Sequence, residues 1–556
     1  MLRKSSILII FLTATRLFSY GQEKITITPA LPERGQEITI TYDPSAAGAL
    51  IPPSSERLDL VFTYSNFYEL PTRISMEKIG SVWQTKFPLA RYATYATFYV
   101  QSDTLRDQPA PDKHFAIAVY DKEKRVSSGY LYEGYSLPAQ LGRVPDLKKK
   151  QAALYQQELE NNPSNYEAKL VLLAYKIAIA NGGEKEKLTK EAEAIIAAKF
   201  YENPGNMGLM NLTTMGYLII GQNTRLDSIR QIVKTKYPTS EAGYELRITD
   251  IAAEEDKAKM EKALVSLLRS ENSKNKAFLK EAHELLLDYY ISKKQTAKAL
   301  AQLRLVGEDH SPYRAKTLKN RAELFYKGGI ALDTALSLAQ QALAIADTYP
   351  AGLIRYFPAT GHIPSFVDKD TRAATTNKAR GNLLSLIALI KLQQGKESAS
   401  YLSNALKISS DNETLANAGE YYRKKGANKE AFEAYKQIMY QLPEDTTSFR
   451  KMEESYMAWN KTKEGLDAHV DALKEHWRVE MRTQLKKEIL RIPSPDFAAA
   501  LVDLNGQAVR KEALKNKIIV LDFWATWCVP CMHEMPYLQN AYESYRSDTN
   551  VIFMVI

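Results

Sequence analysis

The chain has 556 residues, of which 45% are hydrophobic and 25% charged, proportions that are ordinary for globular proteins. At roughly 100 to 200 residues per domain, this length predicts about three to five domains. Two cysteines in so long a chain exclude a scaffold held together by disulfides. The formal net charge of +9 is mild for this length, and no basic stripe with interleaved aromatic residues accompanies it. Nucleic acid is therefore not expected as a partner.

Residues 1–21 have the pattern of a cleaved secretory signal peptide. Arg3 and Lys4 precede an apolar run at 7–12, and the small residues at 19–21 suit a cleavage site. The apolar run is far shorter than the roughly 20 residues that span a bilayer, which disfavours the alternative of an uncleaved membrane anchor. No cysteine follows it to carry a lipid. We therefore expect export to the periplasm or cell envelope, where cysteine redox chemistry is useful.

Residues 22–140 carry the pattern of short β-strands. Six runs alternate apolar and polar residues or are rich in β-branched and aromatic residues, and clusters of Pro, Gly, Ser and Asp separate them. The runs are 24–28, 37–42, 58–64, 82–87, 96–100 and 115–120. About six or seven strands of this kind predict an all-β, immunoglobulin-like sandwich. No cysteine lies in this range, so we expect no disulfide between its sheets.

Tyrosine is concentrated in this predicted sandwich. The residues are Tyr92, Tyr95, Tyr99, Tyr130, Tyr132 and Tyr135. Because tyrosine favours strands, the plain interpretation of this concentration is structural. A surface for carbohydrate or for a protein partner is the alternative.

Residues 141–490 change to helical periodicity. One unit has in order a large residue, a small pair, an aromatic residue, a turn glycine, and then an alanine, an aromatic residue and a closing proline. These positions are Leu415, Ala418, Gly419, Tyr422, Gly426, Ala431, Tyr435 and Pro443. This order resembles the tetratricopeptide pattern and predicts an α-solenoid of helix pairs, in which small residues let helices approach closely. Pro163, Pro204 and Pro238 each close a further amphipathic segment.

A solenoid of this kind presents a concave groove, so we expect it to bind a peptide or a protein, with a rigid spacer as the alternative. The segment 355–369 interrupts the helices, because Pro358, Gly361 and Pro364 forbid a regular helix there. A long loop inside a solenoid is often functional. His362 within it invites a catalytic or ligand role, although a lone histidine on a loop is more often inert.

Near the C-terminus lies the only segment whose residues indicate a specific type of chemistry. The apolar run 518–523 predicts a buried strand, Thr526 a helix N-cap, and 528–545 a helix. Cys528 then lies at or near a helix N-terminus, where free backbone N–H groups and the helix dipole favour an anion. A thiolate is stabilised there, so we expect its pKa to lie well below the roughly 8.5 of a free cysteine. Cys531 lies one turn later on the same face.

The run 522–531, Asp-Phe-Trp-Ala-Thr-Trp-Cys-Val-Pro-Cys, resembles the active-site segment of the thioredoxin superfamily. The continuation 532–538 resembles the branch of extracytoplasmic thiol:disulfide reductases of the TlpA and ResA type. Upstream, 495–497 and 503–506 resemble the N-terminal hairpin of that branch, with an Asn-Gly tight turn.

The resemblance implies a role for each residue of the motif. Cys528 is the nucleophile and Cys531 the resolving thiol, and together they form the redox-active disulfide. Asp522 matches a buried carboxylate that relays a proton, and Glu534 matches an acidic residue that tunes the site. Trp527, Pro530 and Pro536 frame the site. Pro530 suits the first helical turn, and Pro536 matches the proline that kinks this helix in the family.

The resemblance covers 491–556, the first part of a thioredoxin domain. The apolar run 551–556 completes a right-handed parallel strand–helix–strand unit. In the family a further helix, a hairpin preceded by a cis-proline and a last helix follow, and none of these lies within this sequence. We therefore expect an incomplete α/β thioredoxin fold. Either the sequence is a fragment of a longer chain or the redox half-domain is truncated, and the apolar last residues favour a fragment.

Two other uses of the cysteine pair are weaker hypotheses. A zinc site wants about four ligands, yet no second cysteine pair exists and His533 is the only nearby histidine. A purely structural disulfide across two residues would constrain little of the chain. We therefore expect no metal and no cofactor.

The preferred hypothesis is an exported thiol:disulfide oxidoreductase that exchanges disulfides with protein substrates and is re-reduced by an electron donor at the membrane. The direction of exchange depends on the reduction potential, which the residues between the two cysteines tune in a direction that the sequence does not predict. The alternative is a non-enzymatic binding or scaffold protein that uses the sandwich and the solenoid, with a vestigial redox segment.

Overall fold

The computed structural model describes residues 24–65, 71–103, 105–141, 145–270, 278–357, 361–488 and 501–556. The chain divides into two compact units, Met1–Asp467 and Ala468–Ile556. The predicted signal peptide and the proline-containing break at 491–496 lie outside the described residues. None of the described helices combines the length and the apolar character that crossing a bilayer requires.

The N-terminal part of the first unit is a β-sandwich. Its strands are β1 (Ile25–Thr28), β2 (Glu37–Tyr42), β3 (Asp59–Tyr64), β4 (Thr72–Ser75), β5 (Glu77–Ile79), β6 (Val82–Pro88), β7 (Tyr95–Ser102), β8 (Leu105–Asp107), β9 (Phe115–Ala118), β10 (Tyr120–Asp121) and β11 (Lys124–Arg125). One sheet has the order β1-β2-β6-β5, and the other has the order β4-β3-β7-β8 with β9 also paired to β7. All of these pairings are antiparallel.

Alternation along the strands builds the core of the sandwich. Ile38 and Ile40 of β2 and Leu60 and Phe62 of β3 are buried, and their neighbours on the opposite face are more exposed in β2. Each of the six predicted runs contains a strand, so the predicted all-β sandwich is confirmed. The strands β4, β5, β8 and β11 are not predicted, because they are two to four residues long and mostly exposed, and so carry no usable alternation.

The rest of the first unit is helical. Its helices are α1 (Gly129–Leu141), α2 (Leu147–Asn161), α3 (Tyr166–Ile179), α4 (Gly182–Glu202), α5 (Met207–Ile219), α6 (Arg225–Lys236), α7 (Glu241–Ala252), α8 (Lys257–Ser270), α9 (Lys280–Ser292), α10 (Thr296–Val306), α11 (Arg314–Gly328), α12 (Leu332–Ala344), α13 (Lys369–Gln393), α14 (Ala399–Ile408), α15 (Asn412–Lys425), α16 (Asn428–Gln441) and α17 (Thr446–Asn460). Successive helices pack against one another, and the predicted α-solenoid is confirmed.

The first helix begins inside the range that the sequence analysis assigned to the sandwich. Tyr130, Tyr132 and Tyr135 lie on α1, so the strand interpretation of these three tyrosines is wrong. The rings of Tyr132 and Tyr135 meet edge to face, and Tyr135 meets Tyr155 of α2 in the same way. Side-chain packing between helices, rather than strand propensity, therefore accounts for them. The domain bounds given above stay predictions.

Small residues set the spacing of the tetratricopeptide-like unit, as the sequence predicts. Gly419 on α15 faces the ring of Tyr435 on α16, and a Cβ added to this glycine would lie 2.6 Å from a ring carbon. Gly426 ends α15 with a φ of 74°, in the left-handed region that favours glycine. The predicted closing prolines are also confirmed, since α2, α4 and α6 each end shortly before one.

The segment that interrupts the solenoid is a β-hairpin rather than an irregular loop. Its strands are β12 (Ile354–Phe357) and β13 (Gly361–Pro364), paired antiparallel. Ile363 is buried in the core of the sandwich, and the ring of Phe366 lies 5.9 Å from that of Phe87. His362 instead contacts the rings of Tyr313 and Tyr356. The hairpin thus joins a late part of the helical region to the sandwich.

The second unit contains most of α18 (Leu466–Glu488), followed by α19 (Lys511–Leu514), β14 (Ile518–Asp522), α20 (Val529–Tyr545) and β15 (Val551–Val555). An antiparallel bridge between Val502 and Ala508 closes the predicted Asn-Gly turn, where Gly506 has a φ of 77°. The strand–helix–strand unit predicted from the apolar runs is confirmed, because β14 and β15 pair in parallel on either side of α20.

A buried carboxylate ties three distant parts of the sandwich together. Asp107, at the end of β8, is fully buried and forms an ion pair with Lys24 at 2.6 Å. It also accepts hydrogen bonds from the Tyr42 hydroxyl at 2.7 Å and from the Leu50 N–H at 2.8 Å. Burial, together with the hydrogen bond to Asp107, raises the pKa of Tyr42 above its usual value. The network satisfies each of these buried polar groups, as the low dielectric of the core requires.

We expect Asp107→Ala to destabilise the sandwich by about 3 to 5 kcal/mol, because it leaves the Lys24 ammonium and two polar groups without their acceptor. The measurement is urea unfolding of the full chain, followed by the fluorescence of the buried Trp83. The matched control is Asp112→Ala, at an exposed position, which is expected to change stability by less than about 0.5 kcal/mol. Equal transition midpoints for the two variants would contradict the assignment.

We expect Gly419→Ala to destabilise the solenoid by about 1 to 3 kcal/mol, because its methyl group would overlap the Tyr435 ring. Gly183→Ala is the matched control. This glycine lies in the first turn of α4, and nothing lies within 4 Å of its added Cβ, so the better helix propensity of alanine should stabilise by up to about 1 kcal/mol. Thermal melting followed by helical circular dichroism should show opposite shifts, and shifts of the same sign would disprove this account.

Candidate functional site

The candidate redox site is held by the parallel pairing of β14 and β15. Ile518 lies opposite Val551 and Asp522 opposite Val555. The pairing continues past both strands, since the Ile556 N–H donates to the Asp522 carbonyl at 2.8 Å and the Trp524 N–H donates to the Ile556 carbonyl at 3.2 Å. These bonds fix the first residues of the loop that leads from β14 to the cysteines.

The loop delivers Cys528 to the position that caps α20. Its backbone is extended (φ −85°, ψ 90°), its N–H donates to the Ala525 carbonyl at 2.9 Å, and its carbonyl accepts from Met532 at 3.1 Å. Its sulfur accepts a hydrogen bond from the Cys531 N–H at 3.3 Å. The prediction of Thr526 as the N-cap is therefore wrong by two residues, because the cysteine sulfur itself takes the capping role. The predicted position of Cys528 at the helix start is confirmed.

The two cysteine sulfurs are joined in a disulfide, with their Cα atoms 5.3 Å apart. Both cysteines are half-buried, so one side of the bond faces solvent. Pro530 lies in the first turn of α20, where a backbone N–H has no intrahelical partner to lose. The site thus combines an accessible disulfide with a helix N-terminus that presents backbone N–H groups to one of its sulfurs.

The other predicted site residues lie on the same short elements. Asp522 is the last residue of β14, and Glu534 lies one turn beyond Cys531 on α20. Asp522 is half-buried rather than buried, so the predicted burial of this carboxylate is wrong: in the described part of the unit, β14 has a strand neighbour on one side only. Glu534 and Pro536 are exposed, and α20 continues past Pro536 to Tyr545. The roles of these residues stay predictions.

Exposed aromatic side chains lie close to the cysteines in the sequence. Trp527, directly before Cys528, is 84% exposed, Phe523 is 69% exposed and Tyr537 is 74% exposed. Trp527 is among the predicted site residues, whereas Phe523 and Tyr537 are not predicted as surface groups. The prediction that Phe523 belongs to a buried strand is wrong, because an apolar run carries no sign of where its strand ends. Aromatic surface of this kind suits contact with another polypeptide.

No three His, Cys, Asp or Glu side chains converge as a metal site within the described ranges. His533, the only histidine near the cysteines in sequence, is exposed.

Comparison with known proteins finds similarity in this C-terminal segment. Residues 492–556 match the family model Redoxin. The thiol-disulfide oxidoreductase ResA of Bacillus subtilis is 43% identical over 54 residues, which are 10% of this chain and 29% of that protein. ResA of Geobacillus kaustophilus is 43% identical over 53 residues, with the same shares of both chains.

Among solved structures, the Cut9–Hcn1 hetero-tetramer of the APC/C covers 59% of this chain and 56% of its own matched chain, at 13% identity and a TM-score of 0.28. A structural similarity this low supports no inference about function. The informative similarity is the one to the redoxins. The chain spans 29% of the length of the Bacillus subtilis relative, and the matched part, 492–556, is redoxin-like and similar to thiol-disulfide oxidoreductases.

Proposed function

We propose that the protein is a thiol:disulfide oxidoreductase in which Cys528 attacks the disulfide of a protein substrate and Cys531 resolves the product. The observation that carries this proposal is the hydrogen bond from the Cys531 N–H to the Cys528 sulfur at the start of α20. The redoxin-like character of 492–556 supports the same chemistry.

The helix start favours the reactive form of Cys528. In the structure, in which the disulfide is formed, the backbone N–H of Cys531 and the positive end of the α20 dipole lie beside the Cys528 sulfur, and we expect the same arrangement in the reduced protein. Both stabilise a thiolate more than a thiol, and the thiolate is the nucleophile in disulfide exchange. Cys531, which lies inside the first turn, caps nothing. This difference supports the proposed roles of Cys528 as the nucleophile and Cys531 as the resolving thiol.

The exchange is balanced in two steps. The Cys528 thiolate attacks one sulfur of the substrate disulfide, forms a mixed disulfide, and releases the other substrate sulfur as a thiolate. Cys531 then loses its proton and attacks the Cys528 sulfur, which forms the Cys528–Cys531 disulfide and releases the second substrate thiolate. The substrate gains two electrons, and the enzyme loses two. A dithiol donor, which we place at the membrane, returns them.

Five further residues take supporting roles in this proposal. Asp522, at the strand end that leads into the loop, accepts the Cys531 proton, and Glu534 tunes the site from the next turn of α20. Pro530 and Pro536 shape the helix, and the exposed Trp527 contacts the substrate. The exposed aromatic side chains suit a protein substrate. An exported location, which residues 1–21 indicate, would supply disulfides to reduce.

A second candidate function rests on the helical region. A cavity of about 490 Å³ lies between α14, α15 and α16, lined among others by Tyr422, Lys429, Glu433 and Gln437. Its mixture of an aromatic ring with both signs of charge suits a peptide. In this proposal the sandwich and solenoid capture a partner, and the redox segment is vestigial. Capture that survives Cys528→Ser, in a chain without disulfide-exchange activity, would favour it.

We expect Cys528→Ser to abolish disulfide reduction, with a loss of about 100-fold or more, because it removes the nucleophile. Cys531→Ser should also stop turnover but should accumulate a mixed disulfide with a disulfide-bonded peptide, since the resolving thiol is missing. The measurement combines insulin reduction with mass spectrometry of the trapped adduct. Cys528→Ser is the matched control, because it keeps one thiol and should trap nothing. Equal activity in the original chain and Cys528→Ser eliminates the enzyme proposal for this chain.

We expect the Cys528 thiol to ionise at or below a pH of about 7.5, because the start of α20 stabilises the anion. The experiment uses reduced Cys531→Ser, which leaves a single thiol, and follows thiolate absorbance against pH. The same variant in urea is the control, and its midpoint should return to about 8.5 as the helix is lost. A folded-state thiol that stays protonated up to about pH 9 would refute the activation by the helix.

A further inference from the structure

The cavity that carries this inference lies in the first unit, between the sandwich and α1. Its volume is about 380 Å³, which is within the usual range for small-molecule sites. Its floor is the outer face of the five-stranded sheet, where Thr63 lies opposite Thr97 and Val61 opposite Tyr99. Ser136 and other residues of α1 form the facing wall.

Arg106 of β8 supplies the positive charge of this cavity. Its guanidinium carbon lies over the ring of Tyr99, 3.6 Å from the ring centroid. One of its N–H groups donates to Nε2 of His114 at 2.5 Å. Within the described ranges, no carboxylate forms an ion pair with Arg106, so most of its five donors are unused. The stacking holds the charge in place and leaves the edge of the guanidinium available.

His114 is an acceptor in this cavity rather than a second cation. Nε2 can accept from Arg106 only when the imidazole is neutral, and burial, together with the neighbouring Arg106, lowers the pKa of His114 to about 4. The backbone N–H of His114 donates to the Gln140 side chain at 3.0 Å, and Gln140 donates to the Ser136 hydroxyl at 2.8 Å. These bonds connect the sheet side of the cavity to α1.

The remaining lining offers both polar and apolar contacts. Within the part of the chain that the structure describes, the hydroxyls of Thr63 and Thr97 form no hydrogen bond to other residues. The Tyr135 hydroxyl donates to Glu167 at 2.7 Å, and the Tyr135 side chain lines the cavity. Among the residues that the structure describes, the cavity therefore combines the cation of Arg106, two hydroxyl groups without partners and an aromatic side chain.

We propose that this cavity binds a uronic acid residue, a sugar that carries one carboxylate. The carboxylate binds the edge of the Arg106 guanidinium, where a charged hydrogen bond is stronger than a neutral one. The sugar hydroxyls bind the Thr63 and Thr97 hydroxyls, and an apolar face of the ring packs on Tyr135. A neutral sugar would leave the charge of Arg106 unused, and a small carboxylate would leave the hydroxyls and the aromatic side chain unused.

The test is calorimetric titration of the full chain with D-glucuronate, beside D-glucose and acetate as probes that each lack one half of the proposed recognition. We expect glucuronate to bind in a one-to-one complex, at least about tenfold more tightly than either control ligand. A uronate-terminated disaccharide distinguishes a free sugar from the end of a longer saccharide, and binding of either supports the proposal. Absence of glucuronate binding, or equal binding of glucose or acetate, overturns it.

Two variants locate the binding. Arg106→Gln removes the charge from an exposed side chain and should weaken glucuronate binding about tenfold or more. Thr63→Val keeps the shape of the side chain but removes a hydroxyl, and should weaken it less. Arg57→Gln, an exposed arginine outside the cavity, is the matched control and should bind as the original chain does. Unchanged binding in Arg106→Gln overturns the proposal, and disulfide exchange should be the same in all of these variants.

Discussion

The parallel pairing of β14 with β15 is the constraint on which the candidate redox site depends. Because Asp522 and Trp524 both bond to the backbone of Ile556, the end of β14 cannot shift without breaking that pairing. The loop that follows is short, so a fixed strand end also fixes where α20 begins. Cys528 is reactive, in the function proposed, only if it stands at that beginning. In the function proposed, the backbone hydrogen bonds at the end of β14 therefore fix the position on which the reactivity of Cys528 depends.

In the much larger first unit, buried polar networks fix how the elements align, as strand pairing does at the redox site. In the solenoid, the buried Lys319 of α11 forms ion pairs with Glu413 of α15 and Glu323. Asn382 of α13 donates to Glu413 at 2.8 Å and accepts from Thr414 at 2.7 Å. Apolar contacts alone would let these helices slide against one another, whereas a satisfied polar network permits one alignment, as Asp107 does between distant parts of the sandwich.

The sequence predicts best what repeats or what carries chemistry. Alternation finds the strands of the core, and a proline marks the end of α16. Prediction from the sequence fails where a structure depends on contacts between residues that are far apart along the chain. The residues next to Asp107 in the sequence do not predict that Lys24 is its ion-pair partner. The short β12 likewise does not predict that Ile363, which follows it, is buried in the core of the sandwich. Thr526 is the better N-cap by residue type, yet the hydrogen bonds of the loop bring Cys528 to that position instead.

The two proposed sites share a physical strategy, although their ligands differ. In each, the charge of the ligand or nucleophile is balanced by groups that do not titrate near neutral pH: backbone N–H groups at Cys528 and the guanidinium of Arg106 in the cavity. Histidine, the side chain that usually titrates there, is kept neutral beside Arg106. The backbone N–H groups at Cys528 and the guanidinium of Arg106 therefore add no pH dependence of their own near neutrality to either site.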